Sequence, residues 1–177
     1  MGGMAAIRRL RENVSLLQRQ LSDGTLLRPL LERHEDDIYE LQVIQLFEGK
    51  ASSGEDMRPY YSEDVQPGGY FATKEDAQKY AAWKQSPEFN PFNVQRNPDA
   101  PNLYFNGKFH SELGVRFTED SVMIEPTTPS AREIMAKYGR GQFGLSPAKW
   151  QELFNERGVR KAVHKAVRNI IINGNSQ

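Results

Sequence analysis

The 177-residue chain contains no cysteine. This excludes disulfides, thiolate zinc sites and thiol nucleophiles, and it fits a reducing compartment. No apolar run approaches the roughly 18 residues of a membrane-spanning helix, and no signal-peptide apolar core is present. The chain is therefore expected neither to span nor to cross a membrane by itself. Neither sign of charge dominates, with 23 Lys and Arg against 23 Asp and Glu, so no global field draws in nucleic acid or an acidic membrane. Apolar residues make up 38%, below the roughly 45–50% (glycine included) of ordinary globular domains. A thin core implies that partners supply part of the stability. The length fits one domain with an appendage, or two small units, and no internal repeat or low-complexity tract is visible.

Helical periodicity opens the chain. Ile7, Leu10, Val14, Leu17 and Leu21 recur at alternating spacings of three and four, a narrow stripe on one amphipathic helix over roughly residues 4–21. Gly24 suits the left-handed position after it, and Thr25 suits the next N-cap. A second helix follows with Pro29 in its first turn and a stripe of Leu27, Leu31, His34, Ile38, Leu41 and Gln45, ending at Gly49. The two read as an antiparallel helical hairpin over residues 1–49. Residues 50–101 are loop-rich, with aromatic islands at Tyr60-Tyr61 and Tyr70-Phe71 and one short helix, Lys74–Gln85, started by a capping box at Thr73 and Asp76. Residues 102–177 form the third segment, a β-meander with C-terminal helices, composite with 50–101.

Asn106-Gly107 is a strong hairpin signal because both residues tolerate positive φ. After it, Phe109, Ser111, Leu113, Val115 and Phe117 alternate with polar neighbours, a period-2 pattern with one wet face. Tyr104 opposes Phe109 if the loop has two residues. Leu103 does so if the loop has three, with Gly107 in a bulge and Phe105 at the tip. Glu119-Asp120 reads as a turn into a strand at Val122-Met123-Ile124. Pro129 suits the start of a helix ending at Tyr138-Gly139. Ser146-Pro147 marks a stronger helix start, and a last helix spans Val159–Ile172.

No catalytic constellation emerges. His34 sits on an apolar stripe, and its acidic neighbours Glu35, Asp36 and Asp37 point around the helix. His110 and Glu112 share a strand face, but a third ligand at a metal-binding spacing is missing, so a solvated face is expected. Gly49 to Gly54 and Gly139 to Gly144 match no Walker pattern. The expectation is a non-enzyme without cofactor or metal. One electrostatic feature stands above background: from Asn155 onward five Arg and Lys face one Glu, with Arg160, Lys161, Lys165 and Arg168 on one side of the last helix. This face suits nucleic-acid phosphates, an acidic partner or plain solvation.

Two stretches carry a resemblance. Gln45-Leu46-Phe47-Glu48-Gly49, followed by Ser53-Gly54 and Pro59-Tyr60-Tyr61, is similar to an arrangement in virion proteins of tailed phages. The order within Asn102–Trp150 resembles the phage virion-morphogenesis pattern: a Gly-Lys-Phe hairpin, a Val-x-Ile strand, a helix ending in Tyr-Gly, then Phe-Gly-Leu-Ser before an amphipathic helix. Lys137-Tyr138-Gly139 and Gln142-Phe143-Gly144-Leu145-Ser146 stand where that family has His-x-x-Gly and Pro-x-Arg-x-Phe-Leu-Gly-Leu-Ser. The resemblance implies a head–tail connector or tail-completion subunit in a homo-oligomeric ring. It would contact portal, connector or tail subunits, and would be made in the host cytoplasm and end in the virion. It implies no catalytic residues.

The sequence thus predicts an α+β protein acting through protein contacts. Candidate contact residues are Ile7, Leu10, Val14 and Leu17 on helix 1, with Tyr60, Tyr61, Phe71 and Phe105. For each, cover by a neighbour or burial in the same chain remains open. The alternative is a nucleic-acid-associated protein using Arg160, Lys161, Lys165 and Arg168.

Overall fold

The computed structural model describes residues 2–67, 70–118, 121–129 and 131–174. Among them are eight α-helices and one two-stranded antiparallel sheet, an α+β architecture. In order they are α1 (Gly2–Ser22), α2 (Arg28–Glu32), α3 (Glu35–Phe47), α4 (Lys74–Trp83), α5 (Lys108–Ser111), β1 (Leu113–Phe117), β2 (Val122–Pro126), α6 (Ala131–Tyr138), α7 (Pro147–Asn155) and α8 (Val159–Asn173). The chain divides into two compact units. The first holds Met1–Asp37, Phe117–Val122 and Gln151–Gln177, and the second holds Ile38–Arg116 and Met123–Trp150.

In the first unit α1 and α2 both pack on α8. The core there is small: Leu26, Leu30, Ala166 and Ile170, with Leu16, Leu17, Ala162, Val163 and Val167 around them. Asn13 is buried and donates from its amide to the Ile171 carbonyl at 2.9 Å. The long second stripe is divided at Arg33-His34 into α2 and α3. Three acids, Glu35, Asp36 and Asp37, open α3, where they favour a fresh helix N-terminus. His34 Nδ1 lies 2.8 Å from Asp37, and Arg157 reaches Asp37 at 3.5 Å.

In the second unit α3 is wrapped. Ile38, Leu41, Gln42, Val43, Gln45, Leu46 and Phe47 are all buried. Val43, Leu46 and Phe47 meet Met57, Phe109, Leu113 and Ala131 in the main core, while Tyr61, Phe71, Ala77 and Ala81 form a second cluster. Two glutamines on α3 hold the segment before α7. Gln42 donates to the Gln142 carbonyl at 3.1 Å and accepts from the Gly144 N–H at 2.8 Å. Gln45 donates to the Gly144 carbonyl at 2.9 Å and accepts from the Ser146 N–H at 2.7 Å. The two stretches that carry the phage resemblance are therefore bonded to each other. Ser146 also accepts from the Lys149 N–H at 3.4 Å as the N-cap of α7.

The sheet is smaller than the alternation suggests. Asn102–Phe105 forms no strand, and Lys108–Ser111 is a helical turn. Side chains have taken the backbone groups that a ladder would use. The Asn102 side-chain Oδ1 accepts from the Tyr104 N–H at 3.2 Å, the Asn106 side chain accepts from the Lys108 N–H at 3.1 Å, and Lys84 donates to the Tyr104 carbonyl. Phe109, His110 and Leu113 are buried, a helical rather than an alternating spacing. The Glu119-Asp120 turn lies outside the described residues. Beside it, the Thr118 N–H donates to the Ser121 carbonyl at 2.9 Å.

Candidate interaction surfaces

On α1 the apolar stripe and the face packed on α8 are different. Asn13, Leu16 and Leu17 face inward, whereas Ile7 and Leu10 are 54% and 49% exposed, and Met4, Val14 and Leu21 are exposed as well. At 100° per residue the stripe lies roughly a quarter turn from Asn13. Leu17 is the one stripe residue shared by both faces. Of the predicted helix-1 contact residues, then, Ile7, Leu10 and Val14 are open, and Leu17 is half-buried.

Opposite its buried line of Val159, Ala166 and Ile170, α8 exposes Arg160, Lys161, His164, Lys165 and Arg168. The four Arg and Lys form no ion pair among the described residues. The α1 helix adds Arg8, Arg9, Arg11 and Arg19 against Glu12 alone, and α8 holds no acid. The basic character anticipated for α8 therefore extends to both helices of a packed pair.

The second unit carries an aromatic strip. Tyr70, Trp83 and Phe105 are exposed, Phe105 by 65%. They are linked through the rings of Tyr80 and Phe89, with centroids 5.6 Å apart for Tyr70–Tyr80, 5.5 Å for Tyr80–Trp83, 4.1 Å for Trp83–Phe89 and 6.4 Å for Phe89–Phe105. Among the predicted aromatic contacts only Phe105 belongs to this strip. Tyr61 and Phe71 are core side chains, stacked on each other and on Tyr80. Tyr60 is half-buried, under the Arg58 guanidinium at 4.1 Å and donating to Asp56 at 3.2 Å. Tyr70 and Trp83 were not singled out as contacts from sequence. Their signal was an aromatic beside glycines and one at the last turn of a short helix.

His110 is not on a wet strand face. It lies in α5, 4% exposed, with its ring against Phe47 and Tyr104 at 4.8 and 5.3 Å. Neither ring nitrogen has a hydrogen-bond partner among the described residues. Burial pushes its pKa down to about 4. Lys84 is also buried, over the Phe89 ring at 4.8 Å, and burial reinforced by the Arg96 charge lowers it to about 8. Among the described residues no three His, Asp or Glu side chains converge to hold a metal ion.

Comparison with protein families, with curated proteins and with solved structures gives no match.

Proposed function

We propose that this chain is a structural subunit of a tailed-phage particle, of the head–tail connector or tail-completion class, working through contacts with other virion proteins and with its own copies. The observation that carries this reading is that each unit exposes an ordered apolar strip, Ile7-Leu10-Val14 on α1 and Tyr70-Trp83-Phe105 on the second unit. Exposed apolar side chains grouped in one place suit a contact site, and exposed Tyr and Trp anchors are common at protein interfaces. The phage assignment draws on the resemblance, whose two stretches meet through Gln45. The test is quantitative mass spectrometry of gradient-purified virions from a host producing the phage. A fixed copy number per particle is expected. Presence in the lysate with absence from intact particles overturns the reading.

A second reading, nucleic-acid association, is favoured by the basic faces of α1 and α8. It predicts binding to duplex DNA whose logarithm falls with log salt at about 0.9 per phosphate neutralised. Reversing Arg160, Lys161, Lys165 and Arg168 to Glu would then weaken binding sharply and reduce that slope. Binding that is absent at physiological salt removes this reading.

A further inference from the structure

The free half of α1 needs a cover that the described residues of its own unit do not supply. Every residue from Met4 to Glu12 is exposed, and helices shorter than about 12–15 residues are marginal on their own in water. The stripe on this segment has the composition of a two-stranded seam. Ile7, Val14 and Leu21 share one heptad position, and Leu10 and Leu17 share the other. Two of the three residues at the first position are β-branched and both at the second are leucine, a combination that leans toward paired parallel helices.

The charges indicate what the partner is. The positions bordering the seam are Ala6, Asn13 and Gln20 on one side and Met4, Arg11 and Gln18 on the other. Asn13 lies on the side turned to α8. In a parallel pair Arg11 faces Ala6 of the second copy, so no like charges oppose each other across the seam. Arg8, Arg9, Glu12 and Arg19 occupy outer positions, where salt screens them. An acidic partner helix would gain only one bordering cation. A lipid surface would call for a wide apolar face with aromatic residues, and α1 has a narrow stripe and no aromatic.

We propose that α1 pairs in parallel with α1 of a second copy of this chain, through Ile7, Leu10, Val14 and Leu21, with Leu17 at the edge of the contact. This rests on the structural-subunit reading and names one of its self-contacts. Such a contact is two-fold and self-complementary, so it closes at two copies. A ring would then need a different surface, and the Tyr70-Trp83-Phe105 strip is available for it.

The chain's lack of cysteine makes the test direct. Ile7→Cys and Val14→Cys, made singly in the full chain and oxidised at low concentration, should each give a covalent dimer, because parallel pairing sets each position against itself within the Cα separation a disulfide needs. Arg9→Cys, on the outside, should not. Light scattering should show a dimer for the unmodified protein. Leu10→Asp should give a monomer with unchanged helical circular dichroism outside α1's free half, and Trp83→Ser should stay dimeric. A monomer at about 100 μM, crosslinking at only one of positions 7 and 14, or an intact dimer for Leu10→Asp would overturn the proposal. A monomeric chain that still enters virions at fixed copy number sinks this pairing alone. A dimer that is absent from virions leaves the pairing and removes the phage assignment.

Discussion

Helices α1 and α3 both carry apolar side chains at helical spacing, but their surroundings are opposite. On α3 the chain closes over the helix so completely that two glutamines are buried with Ile38, Leu41 and Leu46. On α1 the stripe stays open apart from half-buried Leu17, and the most buried residue turned inward is an asparagine. Periodicity therefore says that a helix has a face, and says nothing about whether the same chain supplies the cover. That depends on partners far away in sequence: residues 57, 109, 113, 131 and 142–146 for α3, and α8 for part of α1.

The sharpest way to test this contrast is truncation at its buried end. Phe47→Ala should cost about 3–5 kcal/mol by urea unfolding, the range for large-to-small changes in a packed core. Gln45→Ala comes next, at about 2–4 kcal/mol, because the Gly144 carbonyl and Ser146 N–H are left without partners in a buried site. A cost below 1 kcal/mol would mean that water replaces the amide and that the helix is less closed than described. Third is an acid effect from His110. Its proton affinity is lower folded, at about 4, than unfolded, near 6.5, so the unfolded chain binds more protons between those values. Stability should fall as pH drops from 6.5 to 4, by about 2–3 kcal/mol relative to a His110→Leu variant, which cannot titrate. Parallel pH profiles for the two proteins would place the imidazole in contact with water. The smallest effect belongs to the open helix. Leu10→Ser, measured at concentrations where the chain is monomeric, should change unfolding free energy by less than about 0.5 kcal/mol. A loss of 2 kcal/mol would show that the stripe is covered within the chain.

Much of the helical framework was legible because its signals are local. Gly24, the Thr73 cap, Ser146-Pro147 and Gly158 each act on neighbouring backbone groups, and the helix boundaries fall beside them. The failure at Asn102–Ser111 has an equally specific cause. Asn-Gly and alternating aromatics favour a hairpin only if the backbone is free to pair, and there Asn102, Asn106 and Lys84 side chains engage it. Two of the reads came from chain neighbours and not from spacing. For Tyr61 and Phe71 the sequence left cover by a neighbour and burial in the same chain open, and the α4 helix, through Tyr80, Ala77 and Ala81, buries them within the chain. The roles of Gln42 and Gln45 were out of reach, since their partners lie about a hundred residues on.

Those two glutamines also set a length rule. Each amide uses one N–H and its oxygen to meet a backbone acceptor and donor two residues apart: 142 and 144 for Gln42, 144 and 146 for Gln45. A step of three residues along the helix is thereby matched to two residues of the turn-rich loop before α7. The helix acts as a ruler laid against residues 142–146. A residue added or removed between 142 and 144 would break the pair at Gln42, and one between 144 and 146 would break the pair at Gln45.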